Sequence, residues 1–336
     1  MRGRDIKMMK KAAIIGERKA ELIDAPIPDI PEDGVLVKVH VAPMCAEYKG
    51  FVSGSSSDCL GHEAAGEVVE SRSPRYKVGD RVVLMPLTSC GTCHFCESGD
   101  YIHCLENPMK DATMAQYVAK PASLVRPIPD GVTYEKAALA CCALGPSFGA
   151  LHSLGANAFN TILITGLGPV GLGAIVNAKF IGARVIAVDT NPYRTAIARE
   201  LGADEILDPT DPDIRSKISE LCNGEGPDGA IDCSGAPPAH RLCIDSVRRK
   251  GWVTFVGESH TETPIVISRD MIRKGLHLIG SWHYNLNDFP KVMQVIERSP
   301  VVDKLITNVF PMSQIQQAFE TSSSQQGAKI LLKPWE

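Results

Sequence analysis

Four cysteines, Cys90, Cys93, Cys96 and Cys104, follow one another with the spacing C-x2-C-x2-C-x7-C. Four thiolates can satisfy a tetrahedral zinc ion completely, so such a site has no open position for a substrate. The spacing therefore predicts a structural zinc, and any reaction must take place elsewhere. An iron–sulfur cluster is the competing metal, but the ferredoxin pattern ends in a gap of three residues and a proline, which this chain lacks. Redox-active or coincidental cysteines are a further alternative.

A second group of residues could bind a dinucleotide. Gly166, Gly168 and Gly171 form the pattern G-x-G-x-x-G directly after the apolar run TILIT and at the start of a predicted helix. In this context Gly166 permits a tight turn, Gly168 lets the backbone approach a pyrophosphate, and Gly171 lets helix and strand pack closely. Pro169 and Val170 open the helix, where the missing N–H of proline costs little. The pattern predicts that the phosphates rest on the helix N-terminus.

Asp189 ends the next apolar run, ARVIAV. An acid at this position hydrogen-bonds the adenosine ribose 2′-OH and repels a 2′-phosphate, so it favours NAD over NADP. Arg194 lies nearby, and an arginine there can hold a 2′-phosphate instead. The structural alternative is that the glycines only form turns and that Asp189 only caps a strand end.

A third group is dispersed along the chain: Cys45, His62 with its neighbour Glu63, and Cys142. Each residue alone is weak, because a lone cysteine usually behaves as a small buried hydrophobe and a lone histidine more often packs than ligates. Only a fold that brings these residues together would make them a site.

Composition limits the classes of function. A length of 336 residues predicts about two domains, and the balance of 44% hydrophobic and 22% charged residues is that of a globular protein. The net charge of −4 gives no basic footprint, so we expect no nucleic-acid partner. We find no apolar run long enough to span a membrane and no secretory signal. Eleven cysteines fit metal ligands and free thiols in a reducing cytoplasm, where we expect the protein to reside.

The chain changes character twice. Short β-rich runs broken by turn residues extend from Lys11 to about Pro129 and predict an antiparallel barrel or sandwich. Apolar strands then alternate with helical stretches from about Asn160 to Ser281, which indicates βαβ units and a parallel sheet. After Asn285 we predict two helices, a connecting stretch between them and a final strand, which pack back on the first part.

Four features occur in the order typical of one family. They are Cys45, the sequence G-H-E that ends at Glu63, the four-cysteine segment 90–104, which we call the lobe, and the glycine pattern. The chain resembles the zinc-containing medium-chain alcohol dehydrogenases, with threonine and sorbitol dehydrogenases as relatives, from about Lys11 to Trp335. The resemblance implies an α/β protein that combines a GroES-like β-barrel catalytic domain with a Rossmann coenzyme domain, a doubly wound parallel sheet. We assign residues 1–8 to a disordered arm, 9–145 and 286–336 to the catalytic domain, and 146–285 to the NAD-binding domain.

The same resemblance implies the site. Cys45, His62 and Cys142 correspond to the ligands of a catalytic zinc, with Cys141 as the alternative third ligand. Glu63 corresponds to a residue that acts through the ligands or as a transient fourth ligand. With the lobe, this makes two zinc ions per chain.

Departures from the family concern the proton path. Two residues after Cys45 the family usually has Ser or Thr, then Asp; this chain has Glu47 and Tyr48. The usual proton relay is therefore absent. Glu47 could be a general base, because a nearby Zn²⁺ keeps a carboxylate ionised, or it could be a zinc ligand. Alternatively, it faces solvent and water carries the proton.

The function implied is hydride transfer between a secondary alcohol or polyol, or its ketone or aldehyde, and NAD, through a zinc-bound alkoxide. The alternative is a non-catalytic or regulatory dinucleotide-binding member that keeps the structural zinc. By analogy with the family we expect a homotetramer or homodimer and no membrane partner.

Overall fold

A computed structural model describes residues 7–106 and 111–336. The chain divides into two compact units, the first comprising residues up to Cys142 with Asn285–Glu297 and Ile306–Glu336, and the second Ala143–Tyr284 with Arg298–Leu305. The predicted boundaries, after residues 145 and 285, lie close to these. Residues 298–305, which we had placed in the catalytic domain, belong to the second unit instead.

The strands are β1 (Met8–Gly16), β2 (Lys19–Pro26), β3 (Gly34–Pro43), β4 (Ala64–Ser71), β5 (Arg81–Leu84), β6 (Tyr117–Pro121), β7 (Val125–Pro127), β8 (Thr161–Thr165), β9 (Arg184–Val188), β10 (Glu205–Leu207), β11 (Gly229–Asp232), β12 (Trp252–Phe255), β13 (His277–Gly280), β14 (Ile306–Pro311) and β15 (Lys329–Lys333). The helices are α1 (Tyr48–Ser53), α2 (His94–Ser98), α3 (Tyr134–Ala137), α4 (Gly145–Ser153), α5 (Pro169–Phe180), α6 (Pro192–Glu200), α7 (Ile214–Leu221), α8 (Pro237–Ser246), α9 (Phe289–Arg298) and α10 (Ile315–Ser323). No helix in the described residues is long and apolar enough to cross a membrane.

The first unit is organised around β3. Its sheet has the order β14-β15-β3-β4-β5-β7, and β6 also pairs with β3. The valines of β3, among them Val35, Val37 and Val39, are completely buried, as expected for a central strand covered on its inner face. The C-terminal strand β15 pairs antiparallel with the end of β3, so the last residues of the chain return to the first unit.

The N-terminal prediction is wrong for two residues. Met8 begins β1, which forms an antiparallel hairpin with β2, and the backbone N–H of Ile27 donates to the Lys7 carbonyl at 2.9 Å. Met9 turns inward and is buried. Residues 1–6 of the predicted arm lie outside the described residues.

One strand was missed in the C-terminal region. The stretch that we predicted as a connection between the last two helices contains β14, which pairs parallel with β15. Its six residues are mostly half-buried and do not alternate between buried and exposed, so the sequence carries no period-2 signal.

The second unit contains a parallel sheet of strand order β10-β9-β8-β11-β12-β13. Counted from β8, this is the 3-2-1-4-5-6 order of a doubly wound dinucleotide-binding sheet. The order reverses between β8 and β11, and ligands of such sheets bind in the crevice at the carboxyl ends of the strands flanking this point. Gly166 directly follows β8, so the predicted glycine loop lies at the reversal.

Candidate functional site

The four cysteines of the lobe come together. Their Sγ atoms are separated by 3.5 Å (Cys90 and Cys104), 3.5 Å (Cys93 and Cys96), 3.8 Å (Cys90 and Cys96) and 4.0 Å (Cys93 and Cys104). A tetrahedral zinc with Zn–S bonds of about 2.3 Å requires sulfurs about 3.8 Å apart. The four sulfurs therefore fit a zinc ion without rearrangement.

The thiols of the lobe differ in pKa. Hydrogen bonds from the backbone N–H groups of Thr92 and Cys93 lower the pKa of Cys90 to about 6. In contrast, burial raises the pKa of Cys96 to about 12. The thiol of Cys90 therefore ionises easily, whereas the thiol of Cys96 would lose its proton only when a metal ion binds to the sulfur.

The second cluster is assembled by strand pairing. Cys45 follows β3, and His62 and Glu63 immediately precede β4, which pairs antiparallel with β3 through Val41 and Ala65. The end of one strand therefore meets the beginning of the next. Cys142 approaches from the segment that follows α3.

In this cluster one ligand atom from each of Cys45, His62, Glu63 and Cys142 lies within 4.8 Å of the others. The Nε2 atom of His62 is 3.2 Å from the Sγ atom of Cys142. The neighbouring thiol of Cys141 donates instead to the Leu84 carbonyl at 3.5 Å. Of the two candidate third ligands, Cys142 is the one that the fold brings to the cluster.

Glu47 lies beside the cluster and is 12% exposed, so it does not face solvent as one of our alternatives had it. Its Oε1 atom is 3.0 Å from Nδ1 of His62, and its Oε2 atom accepts a 2.8 Å hydrogen bond from the backbone N–H of Cys45. A carboxylate on the far nitrogen of a ligating histidine fixes the ring and its tautomer, which leaves Nε2 free to bind a metal.

Sequence reasoning missed Lys329, the first residue of β15. This lysine is completely buried, and its Nζ atom is 2.6 Å from Oε1 of Glu63, which is also completely buried. The other carboxylate oxygen of Glu63 accepts a 3.0 Å hydrogen bond from the backbone N–H of Cys142. A lysine in a short strand is ordinarily exposed, so nothing in the sequence pointed to this position.

The titration of the cluster is strongly perturbed in the metal-free protein. Hydrogen bonding between the two thiols lowers the pKa of Cys45 well below its usual value and raises that of Cys142 well above it. Burial alone would lower the pKa of His62, but hydrogen bonds and charges from Cys45 and Glu47 raise it to about 11. Clustered shifts of this kind are typical of functional sites.

The donor set fits zinc. Two cysteine sulfurs and one imidazole nitrogen are the protein ligands of catalytic zinc sites of the alcohol dehydrogenase type, which keep one position open. Glu63 is close enough to be a fourth ligand, but its carboxylate is already engaged by Lys329 and by the backbone of Cys142.

The glycine loop has the geometry that a dinucleotide requires. Gly166 adopts φ +81°, a conformation that other residues rarely adopt. Among the described residues, a Cβ atom on Gly168 would meet nothing closer than Nη1 of Arg194, at 4.0 Å, so the space above this residue is open. Helix α5 begins at Pro169, directly after Gly168, and a helix N-terminus favours a bound anion such as a phosphate.

Asp189 and Arg194 flank the loop. The carboxylate of Asp189 accepts hydrogen bonds from the backbone N–H groups of Leu167, at 2.6 Å, and Asn191, at 2.7 Å. These bonds hold Asp189 rigidly, and each oxygen keeps a lone pair for a further donor. Within the described residues, the buried Nε atom of Arg194 has no hydrogen-bond partner.

Comparisons with known proteins agree with this architecture. The family model described as "Alcohol dehydrogenase GroES-like domain" matches residues 31–130, and that described as "Zinc-binding dehydrogenase" matches residues 169–298. The chain is 32% identical over 333 residues to a sorbitol dehydrogenase of Bacillus subtilis (strain 168), with 93% of each covered. It is 30% identical to a D-arabitol-phosphate dehydrogenase of Enterococcus avium, with 95% of each covered.

Among solved structures, 2R,3R-butanediol dehydrogenase from Bacillus subtilis aligns with a TM-score of 0.84 and 26% identity, covering 97% of this chain and 99% of that one. The fold and the matches define an oxidoreductase with a GroES-like and a Rossmann-type part. The chain belongs to the zinc-containing alcohol dehydrogenase family, which confirms the family and fold class expected from the motifs.

Proposed function

We propose that the protein is an NAD-dependent dehydrogenase that transfers a hydride between a secondary alcohol or polyol and NAD, with a catalytic zinc held by Cys45, His62 and Cys142. The observation that carries this proposal is the cluster of two thiols and one imidazole beside a carboxylate that is otherwise engaged. The names of the relatives, which refer to sorbitol, arabitol phosphate and butanediol, support a substrate with a secondary hydroxyl group.

The residues of the cluster have separate tasks in this proposal. When bound, zinc acts as a Lewis acid that lowers the pKa of a coordinated hydroxyl and polarises a carbonyl. Cys45 and Cys142 would hold the metal as thiolates, and His62 would hold it through Nε2. Glu47 accepts a hydrogen bond from the Nδ1–H group of His62 and holds the ring in place. We therefore assign Glu47 to positioning, rather than to metal binding or to general-base catalysis.

The cofactor assignment depends on the second unit. The N-terminus of α5 and the open space over Gly168 suit a pyrophosphate, and the rigid carboxylate of Asp189 suits an unphosphorylated ribose. Arg194, with its unpartnered Nε, would then contact the adenosine half of NAD. NAD⁺, when bound there, would take up the hydride of the alcohol carbon, and the hydroxyl proton would pass to solvent.

Metal analysis tests the zinc assignment. We expect two zinc ions per chain in the purified protein, one of them in the lobe, and one in Cys45→Ser, which should also fail to reduce NAD⁺. Cys222→Ser is the matched control, because this thiol belongs to neither metal cluster. A single zinc per chain in the unmutated protein would refute the proposal.

A substrate panel tests the rest. Secondary alcohols, polyols, cyclitols and amino alcohols are assayed with NAD⁺ and with NADP⁺, and we expect turnover with NAD⁺ and at least one of these classes. Comparable rates with NADP⁺ would contradict the role given to Asp189. A cytoplasmic location fits the eleven cysteines, all of them free in the described residues. Assembly as a homotetramer or homodimer stays a prediction.

A further inference from the structure

Lys329 reaches the metal cluster because of the pairing between the last strand and β3. Leu331 pairs with Pro43, and the backbone N–H of Met44 donates to the Ile330 carbonyl at 2.9 Å. This register places the first residue of β15 next to the segment that carries Cys45. A buried ammonium group is expensive unless it is paired, so its position beside the cluster requires an explanation.

The partner of Lys329 is the one acidic residue of the cluster. The Nζ atom lies 2.6 Å from Oε1 of Glu63, and this same oxygen is 3.8 Å from Nε2 of His62. Oε1 of Glu63 is thus near both a cation and a ligand atom of the metal site. A small movement would bring it into the coordination sphere.

Lys329 supplies the positive charge that balances the carboxylate of Glu63. A Zn²⁺ ion neutralises the two thiolates of Cys45 and Cys142, and Lys329 neutralises Glu63. Without the ammonium group, Glu63 would lose the lysine with which it pairs, and an unpaired buried charge is strongly unfavourable. The carboxylate would therefore turn towards the metal.

We propose that Lys329 is a positioning residue that holds Glu63 away from the metal and so keeps the fourth coordination position free for substrate. The proposal rests on the zinc site at Cys45, His62 and Cys142 put forward above. It concerns how this chain keeps that site open, which the three ligands alone do not ensure, because a carboxylate oxygen of Glu63 lies within 4.8 Å of their ligand atoms.

The test uses protein loaded with Co²⁺ in place of zinc and follows its visible absorption spectrum. Azide, a small anion that binds an open metal position, is titrated into each variant. In Lys329→Met, a change that removes the charge and keeps much of the length, Glu63 should occupy the open position. We expect the dissociation constant for azide to rise at least about tenfold. Mutation of residues that contact the metal ligands typically changes metal affinity or activity by this factor or more.

Rescue separates positioning from a merely structural role. The double variant Lys329→Met with Glu63→Gln has no carboxylate to close the site, so its azide affinity and cobalt spectrum should return towards those of the unmutated protein. Lys120→Met is the matched control: Lys120 is also fully buried and paired with a carboxylate, that of Asp111, but lies outside the cluster. It should leave azide binding unchanged.

Three outcomes would overturn the proposal. Lys329→Met binds azide as the unmutated protein does, or the double variant does not recover, or Glu63→Gln alone tightens azide binding about tenfold, which would mean that Glu63 already competes for the metal. The last measurement keeps the test decisive if Lys329→Met does not fold. If instead Cys45→Ser takes up as much cobalt as the unmutated protein, the zinc site itself is wrong.

Discussion

The close approach of helix α5 to the loop before it gives the sharpest prediction, for Gly171→Ala. A Cβ atom at this position would lie 1.9 Å from the carbonyl oxygen of Gly166, whereas real Cβ atoms essentially never come within 3.0 Å of such an atom. The difference, 3.0 minus 1.9 Å, means that the backbone must move by at least about 1.1 Å. The obstacle is main chain, so no side-chain rotation can relieve it.

Overpacking of this kind costs about 1–3 kcal/mol, and we expect the upper part of that range because two backbone segments must separate. The same shift moves the helix N-terminus relative to the loop. The dissociation constant for NADH should therefore rise at least about tenfold, since displacements near 1 Å have effects of this order or more at functional sites.

The assay combines urea unfolding with titration of NADH fluorescence. Gly280→Ala is the matched control, because a Cβ at Gly280 would have no atom of the described part of the chain within 4 Å. It should change the free energy of unfolding by less than about 1 kcal/mol. Equal stability of the two variants, together with unchanged NADH affinity in Gly171→Ala, would refute the reasoning.

Three further predictions concern the ligands and the cofactor. Glu47→Ala should weaken zinc binding at the Cys45 site by about 10–100-fold, measured by competition with a chelator, because His62 loses its orienting carboxylate. Zinc affinity of the metal-free protein should rise with pH: the pKa of His62, raised to about 11, leaves the ring protonated near neutrality, and the metal must displace that proton. Zinc titrations at two pH values check the sign. Asp189→Ala should lower the preference for NAD⁺ over NADP⁺, measured as the ratio of the two kcat/KM values, at least about tenfold.

Controls make these outcomes decisive. Glu70→Ala removes an exposed carboxylate from the same unit and should leave zinc affinity unchanged; an equal loss in both variants would mean that only net charge matters. Zinc affinity that does not vary with pH would contradict the protonated state of His62. An unaltered cofactor ratio in Asp189→Ala would remove Asp189 from the recognition of the ribose.

The features predicted best are those whose residues lie close together in the sequence. The cysteine lobe spans fifteen residues, from Cys90 to Cys104, and ligand spacing within so short a segment restricts which sulfurs can meet. The glycine pattern is equally local, since one turn and the first turn of one helix contain it. In both segments, the spacing of the residues in the sequence therefore nearly fixes their arrangement in space.

Predictions failed where a segment forms a strand because it pairs with another strand and its own sequence gives little indication of this. Met8 belongs to a strand because it pairs with β2, although we predicted a disordered arm up to this residue. The half-exposed β14 is a strand because β15 lies beside it. Propensity and periodicity are weak signals for such elements, because pairing with a neighbour supplies most of their stability.

The family, the two-part architecture, the lobe and the glycine loop could be predicted from the sequence, because each corresponds to a short motif or to a regular alternation of elements. The folded chain was needed to show that Cys142 and not Cys141 reaches the cluster, that Glu47 contacts His62, and that Lys329 pairs with Glu63. Strand register, and not distance along the sequence, sets which side chains share a buried site. The ion pair between Lys329 and Glu63 joins residues 266 positions apart, and neither segment alone has a pattern that would predict it.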